Sequence, residues 1–224
     1  MNLKIEAARA ALHEVRSGMT LGLGTGTTAA EFVKLLGAAL RSGTLANIRC
    51  TTTSEQTEAQ ARDEQIPLFR LADVSPLDLA VDGTDEIDAR LRLIKGRGGA
   101  LLREKIVEQQ ALRFIVIADE SKIVERLGTG VLPVEVTPFA LDVLQRRFDE
   151  MGLKPVLRMR DGAVRITDEG NRIVDVTVPS NADIADVVAR IREHAGVVET
   201  GFFPNEATDA IIAAASGIRW MKRT

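Results

Sequence analysis

Between residues 19 and 119, four short apolar runs alternate with segments of helical pattern. The runs are MTLGLG (19–24), IRCTTT (48–53), LDLAVD (77–82) and RFIVIAD (113–119). A near-continuous apolar run of this length suits a strand buried on both faces, and parallel neighbours need a crossover helix between them. TTAAEFVKLLGAAL, SEQTEAQARDEQ and ALLREKIVEQQA supply such helices, with Gly43, Pro67 and Pro76 punctuating the connections. The cadence predicts an α/β fold, a Rossmann-like parallel sheet flanked by helices.

After Gly128 the cadence changes. LPVEV is followed by a helical PFALDVLQRRFDEMG, strands LKPVLRMR and AVRIT around an Asp161-Gly162 turn, then RIVDVTV, a helical NADIADVVARIREHAG and a strand VVETGFF. This β-α-β-β-α-β order predicts a small α+β, ferredoxin-like insert over 129–199, with 1–128 plus 200–224 forming the catalytic domain.

Composition narrows the function classes. A formal net charge of -3, with basic residues scattered, offers no footprint for nucleic acid or an anionic membrane. The lone Cys50 excludes a disulfide framework, and with only His13 and His194 no metal centre is expected. The N-terminal NLKIEAARAALHEVRSG carries Glu6 and Glu14 and reads as an amphipathic helix rather than a targeting peptide; no apolar run reaches membrane-spanning length. A cytoplasmic protein is expected.

Two glycine loops carry the chemistry. In LGLGTGTTAAEF, Gly24, Gly26 and Ala29 satisfy G-x-G-x-x-A between a strand and a helix. A dinucleotide site would also need an acid at the end of the next strand, where Thr51, Thr52 and Thr53 stand instead. The loop otherwise offers amides freed by Gly24 and Gly26, hydroxyls of Thr25, Thr27 and Thr28, and a helix N-terminus, which suit a small phosphate. A tight turn that binds nothing is the plain alternative.

In LDLAVDGTDEIDARLRLIKGRGGALLREKIVEQQ, Asp82 and Asp85 leave the C-terminal end of a strand, where open α/β sheets place ligands. Asp82-Gly83 alone fits a turn, and Glu86 or Asp88 fit solvated positions. Lys95 opens the second loop, KGRGG, and Glu104 follows on the next helix. Glu104 and Glu108 share one helix face, which an exposed, dipole-stabilising acid would also explain. Taken together, a carboxylate base (Glu104), a cation with loop amides (Lys95 and 96–99) and a second acid (Asp82 with Asp85) suit proton transfer on a phosphorylated carbonyl compound. Glu104 is read as the only carboxylate of its helix near the reacting carbons.

The blocks GLGTGTTA, TTTSEQT, AVDGTDEID, IKGRGGALLREKI, IADESK and LPVEV resemble, in order, the type A ribose-5-phosphate isomerase family. The resemblance implies interconversion of ribose 5-phosphate and ribulose 5-phosphate without metal or organic cofactor, and a homodimer or homotetramer. It implies Glu104 as general base, and substrate contacts at Thr25, Gly26, Thr27 and Thr28, at Asp82, Gly83, Thr84 and Asp85, at Lys95, Gly96, Arg97 and Gly98, and at Lys122. Arg97 departs from a loop that is often all glycine. A sugar-phosphate sensor without catalysis, or a coenzyme A transferase with a carboxylate nucleophile, are the rival readings. Which loop holds the phosphate is left open.

Overall fold

The computed structural model describes residues 2–223. Its centre is a six-stranded sheet with the spatial order Gly217–Lys222, Asp209–Ala214, Phe114–Asp119, Leu79–Asp82, Thr20–Leu23, Arg49–Thr52. Five strands run parallel and the Gly217–Lys222 edge is antiparallel. Thr20–Leu23 and Leu79–Asp82 are buried along their whole length, as expected for strands covered on both faces. On one face, Phe32, Val33 and Leu36 of the Thr27–Arg41 helix and Ala7, Ala8 and Ala11 of the Leu3–Leu12 helix pack against Leu21, Leu23 and Val81.

The chain moves from Thr20–Leu23 outward to Arg49–Thr52, then returns to Leu79–Asp82 on the other side of the first strand. That reversal leaves the loops after Leu23 and Asp82 diverging, which opens a crevice at the C-terminal ends of the two strands. Both loops singled out by the sequence meet there.

A second core lies in a four-stranded antiparallel sheet ordered Val197–Thr200, Val131–Val136, Arg172–Thr177, Val156–Leu157. Helices Leu141–Glu150 and Ile184–Arg192 cover it through Leu144, Phe148, Val187 and Ile191. In chain order this spatial arrangement is fourth, first, third, second, as the split β-α-β-β-α-β pattern requires. Between the Val156–Leu157 and Arg172–Thr177 strands a hairpin turns at Asp161 and Gly162, both at positive φ (51° and 80°), pairing Ala163 with Arg160.

Three segments differ from the sequence expectation. LKPVLRMR forms two short strands in different sheets, Val156–Leu157 and Met159–Arg160. VVETGFF breaks at Gly201: Val197–Thr200 stays with the insert, while Phe202–Phe203 joins Leu93–Ile94 and Glu86–Ile87 in a small sheet. A Cβ at Gly201 would lie 2.2 Å from the Lys95 carbonyl oxygen, so only glycine lets the strand cross here. Finally, Glu86 and Asp88 are buried rather than solvated: Glu86 accepts from the Gly128 and Gly130 amides, and Asp88 from the Arg90 and Arg92 amides.

Candidate active site

The crevice holds a cavity of about 190 Å³ lined by Thr25 to Thr28, Gly83 to Asp85, Lys95, Gly96, Gly98, Glu104 and Lys122. Larger cavities exist, but here the titratable groups converge, so chemistry rather than volume selects the site. Lys4, Asp119 and Ser121 also line it. Sequence reading missed these three. Lys4 looks like an ordinary helix lysine until the packing of the first helix brings its Nζ to donate to Thr27 Oγ1 at 2.8 Å.

The reactive end is built around a buried ammonium. Lys95 follows the Leu93–Ile94 strand and is 2% exposed, its N–H donating to Gly201 O at 2.9 Å. Its Nζ donates to Gly83 O (2.6 Å) and lies 2.9 Å from Asp82 Oδ2, 3.2 Å from Glu108 Oε1 and 3.8 Å from Glu104 Oε2. Burial alone would lower the Lys95 pKa, but the three carboxylates outweigh it and raise it above its ordinary value. Burial pushes the Glu104 and Glu108 carboxyls up; Lys95 opposes this and the Asp82 charge adds to it. Glu104 and Glu108 thus share one cation with Asp82 in a cluster that is buried throughout.

Glu104 is buried, not an exposed helix-stabilising acid, and its Oε2 accepts no hydrogen bond among the described residues while the side chain lines the cavity. Glu108, one turn further along Leu101–Glu108 on the same face, is buried as well. It touches Lys95 from behind and does not line the cavity. Lys105 on the same helix is buried too, donating to Thr200 O and Phe202 O and so fixing the crossing at Gly201.

Asp82 and Asp85 separate in position. Asp82 sits behind the cavity, its Oδ1 accepting from the Thr25 amide (3.0 Å) and the Gly83 amide (2.6 Å). A Cβ at Gly24 would fall 2.1 Å from that oxygen, so the glycine makes room for the carboxylate. Asp85 lines the cavity and accepts from the Arg97 amide at 2.9 Å.

The first glycine loop offers fewer donors than its sequence promised. The Gly24 amide is spent on Val81 O, and the Thr25 hydroxyl turns inward to a buried cluster with Thr53, Ser54 and Thr57. This explains TTTSEQT: the hydroxyls at the end of the second strand brace the loop where a dinucleotide fold would place an acid. What faces the cavity is the start of the Thr27–Arg41 helix, whose first amides have no intrahelical partner, together with Thr27, Thr28, Lys4 and Lys122. The Thr84 hydroxyl is likewise engaged, its one proton lying between Glu86 O (2.7 Å) and Ile94 O (2.9 Å).

Two expected contact residues lie outside this cavity, Asp82 behind it and Arg97 beside it. Arg97 lines a neighbouring hollow instead, its side chain 46% exposed. The second loop is instead clamped from the insert by Arg158, which donates to Gly96 O at 2.5 Å and to Arg97 O at 3.2 Å and is itself held by Asp175. Arg158→Met should therefore lower kcat/KM by on the order of 10-fold, since a hydrogen bond to a charged group is worth about 1.5–3 kcal/mol. Steady-state kinetics checks this.

Among the described residues, no three His, Cys, Asp or Glu are disposed to hold a metal ion, and no helix is long and apolar enough to cross a membrane.

Known proteins share this arrangement across the whole chain. Residues 49–217 match the family model described as ribose 5-phosphate isomerase A (phosphoriboisomerase A). The chain is 47% identical to ribose-5-phosphate isomerase A of Rhodopseudomonas palustris (strain BisB5), with 99% of this chain and 98% of that one covered. Its identity to the Bacillus mycoides (strain KBAB4) protein of the same name is 44%, covering 98% and 99%. A D-ribose-5-phosphate isomerase solved in complex with phospho-erythronic acid superposes with a TM-score of 0.94 at 39% identity, each chain covered fully. The Methanocaldococcus jannaschii enzyme follows at 0.92 and 38%, covering 99% of this chain and 98% of that one. A family model over most of the chain and full-length relatives near half identity lead to one conclusion: the chain belongs to the ribose 5-phosphate isomerase A family.

Proposed function

We propose that the cavity at the two glycine loops performs the family's reaction with Glu104 as the proton-transferring base. The protein is an aldose-ketose isomerase that interconverts ribose 5-phosphate and ribulose 5-phosphate in the pentose phosphate pathway. The single observation that carries the site assignment is the charge polarity of the cavity. Lys4 donates to Thr27 at the start of the Thr27–Arg41 helix and is grouped with Lys122 about Asp119, while Glu104 lies beside Lys95, and all of them line the one cavity.

The phosphate dianion sits against Thr27, Thr28, the helix amides, Lys4 and Lys122, where the helix dipole and two ammonium groups favour it. The reacting carbons then face Glu104. Asp85, which lines the cavity, moves the proton between the ring oxygen and the anomeric hydroxyl; Asp82, spent on two amides and Lys95, holds the cation in place. Glu104 removes the C2 proton of the open aldose and returns it to C1. Lys95 and the Gly96 and Gly98 amides stabilise the negative charge on the enediolate oxygens in between. The solved relative's phospho-erythronic acid, a phosphorylated four-carbon acid, supports a sugar phosphate as the occupant.

The 129–199 segment acts as a separate insert domain on the 1–128 plus 200–224 catalytic domain, and the protein works in the cytoplasm as a homodimer or homotetramer. Exposed Leu112 and Phe139, 72% and 99% accessible, are apolar surface that assembly would cover.

The test is direct conversion. Ketose should form from ribose 5-phosphate in chelator-treated buffer without nicotinamide, and kcat/KM for unphosphorylated ribose should be lower by at least ~10²-fold, because binding energy from the remote dianion lowers the barrier only when it is present. Equal turnover of both sugars would remove the phosphate seat; activity restored only by a divalent ion would remove the cofactor-free mechanism.

A further inference from the structure

A second hollow of about 400 Å³ adjoins the substrate cavity and shares Gly26, Thr27 and Gly98 with it. Four arginines line it, Arg97, Arg158, Arg160 and Arg165, and none of its lining residues is acidic. Three of the four come from the insert, in the stretch RMRDGAVR. The hairpin register places them together. Arg160 ends the Met159–Arg160 strand and Arg158 directly precedes it, and the Arg165 amide donates to Arg158 O across the hairpin, which sets Arg165 opposite Arg158.

Their charges are unequally spent. Arg158 is neutralised by Asp175 and holds the Gly96 and Arg97 carbonyls. Arg97 has only long contacts, 4.0 Å to Asp85 and 3.9 Å to Glu86. Arg160 lies 3.7 Å from Asp161, whose side chain is 94% exposed. The Arg165 guanidinium makes no hydrogen bond or ion pair among the described residues. The wall common to both hollows is also the first residue of the 15-residue Thr27–Arg41 helix, the positive end of its dipole. A concave, single-sign surface with unspent forked donors is suited to a phosphoryl group.

We propose that this hollow is a second anion site, and that it takes the additional phosphoryl group of a doubly phosphorylated pentose whose first phosphate and sugar occupy the adjoining cavity. The proposal rests on the reading of that cavity as the sugar-phosphate site. Doubly phosphorylated pentoses thereby act as competitive inhibitors of the isomerase, held by the insert as well as by the sheet.

The experiment measures competitive inhibition of ribose 5-phosphate turnover at low ionic strength by three probes. Phospho-erythronate carries one phosphoryl group; ribulose 1,5-bisphosphate adds a second at C1; ribose 5-diphosphate adds it at the other end. They are compared on the native protein and on an Arg160→Gln, Arg165→Gln double variant, which keeps the side-chain stems. At least one doubly phosphorylated probe is expected to lose about 10-fold in affinity in the variant, as expected for lost charge-assisted contacts. Phospho-erythronate should change less than about 2-fold, with kcat unaltered, since neither arginine lines the substrate cavity. Which probe loses affinity identifies the end of the sugar that faces the hollow. If neither does, or if phospho-erythronate weakens in parallel, the second site is overturned. Failure of phospho-erythronate to compete on the native protein would instead overturn the substrate-cavity reading, and this one with it.

Discussion

Glu104→Gln is expected to lower kcat by at least ~10²-fold while KM for ribose 5-phosphate moves much less. The amide keeps the side chain's shape beside Lys95, 3.8 Å away, but cannot take a proton. Burial, with the charges of Asp82 and Asp85 and against that of Lys95, raises the Glu104 pKa above its ordinary value. A base must be ionised, so kcat/KM of the native protein should rise with pH through an apparent value above the ordinary ~4.3 of a glutamate. During native turnover, deuterium from solvent should enter the sugar, because the proton passes through an exchangeable carboxyl. Near-native turnover by Glu104→Gln would move the base elsewhere, with Asp85 the next candidate in the cavity.

Lys95→Met is expected to unfold more readily, and the loss should grow with pH. The substitution fills much the same volume but removes the cation facing Asp82, Glu104 and Glu108, each no more than 3% exposed. Breaking a buried ion pair by removing one partner costs about 3–5 kcal/mol. Protonation relieves part of this. The Glu104 and Glu108 pKa values are already raised in the folded protein, by burial first, and loss of Lys95 removes what opposes that rise. A carboxyl with a raised folded pKa binds more protons folded than unfolded, so stability is retained at low pH and falls as pH rises from the ordinary carboxylate range through the raised values. Urea unfolding at about pH 5.5 and pH 8 checks this. A variant equally stable at both would mean that the three acids do not share one buried charge balance.

The parallel sheet was legible because its signals are local: a buried strand, a crossover helix and a glycine turn are each encoded by neighbouring residues. The short strands Glu86–Ile87, Leu93–Ile94 and Phe202–Phe203 were not, since two residues carry no periodicity. The loops were found by their glycines, yet their working parts were misjudged in detail. The Thr25 hydroxyl and the Gly24 amide looked free in sequence, and both are committed inside the fold.

By itself the sequence determined which residues could do chemistry: the acids Asp82, Asp85 and Glu104, the cation Lys95 and the helix-start threonines all stand at loops that a parallel sheet must bring to one edge. Tertiary structure alone decided how those groups are used. It drew Lys4 to Thr27 across 23 residues, set Glu108 against Lys95, turned Asp82 behind the cavity and left Asp85 in it, and swung Arg97 out to join the arginines of the insert. The physical reason is that proton affinity and contact depend on burial and on the distance to charges carried by other elements. Those quantities are set by how strands and helices cross, not by the order in which residues follow one another.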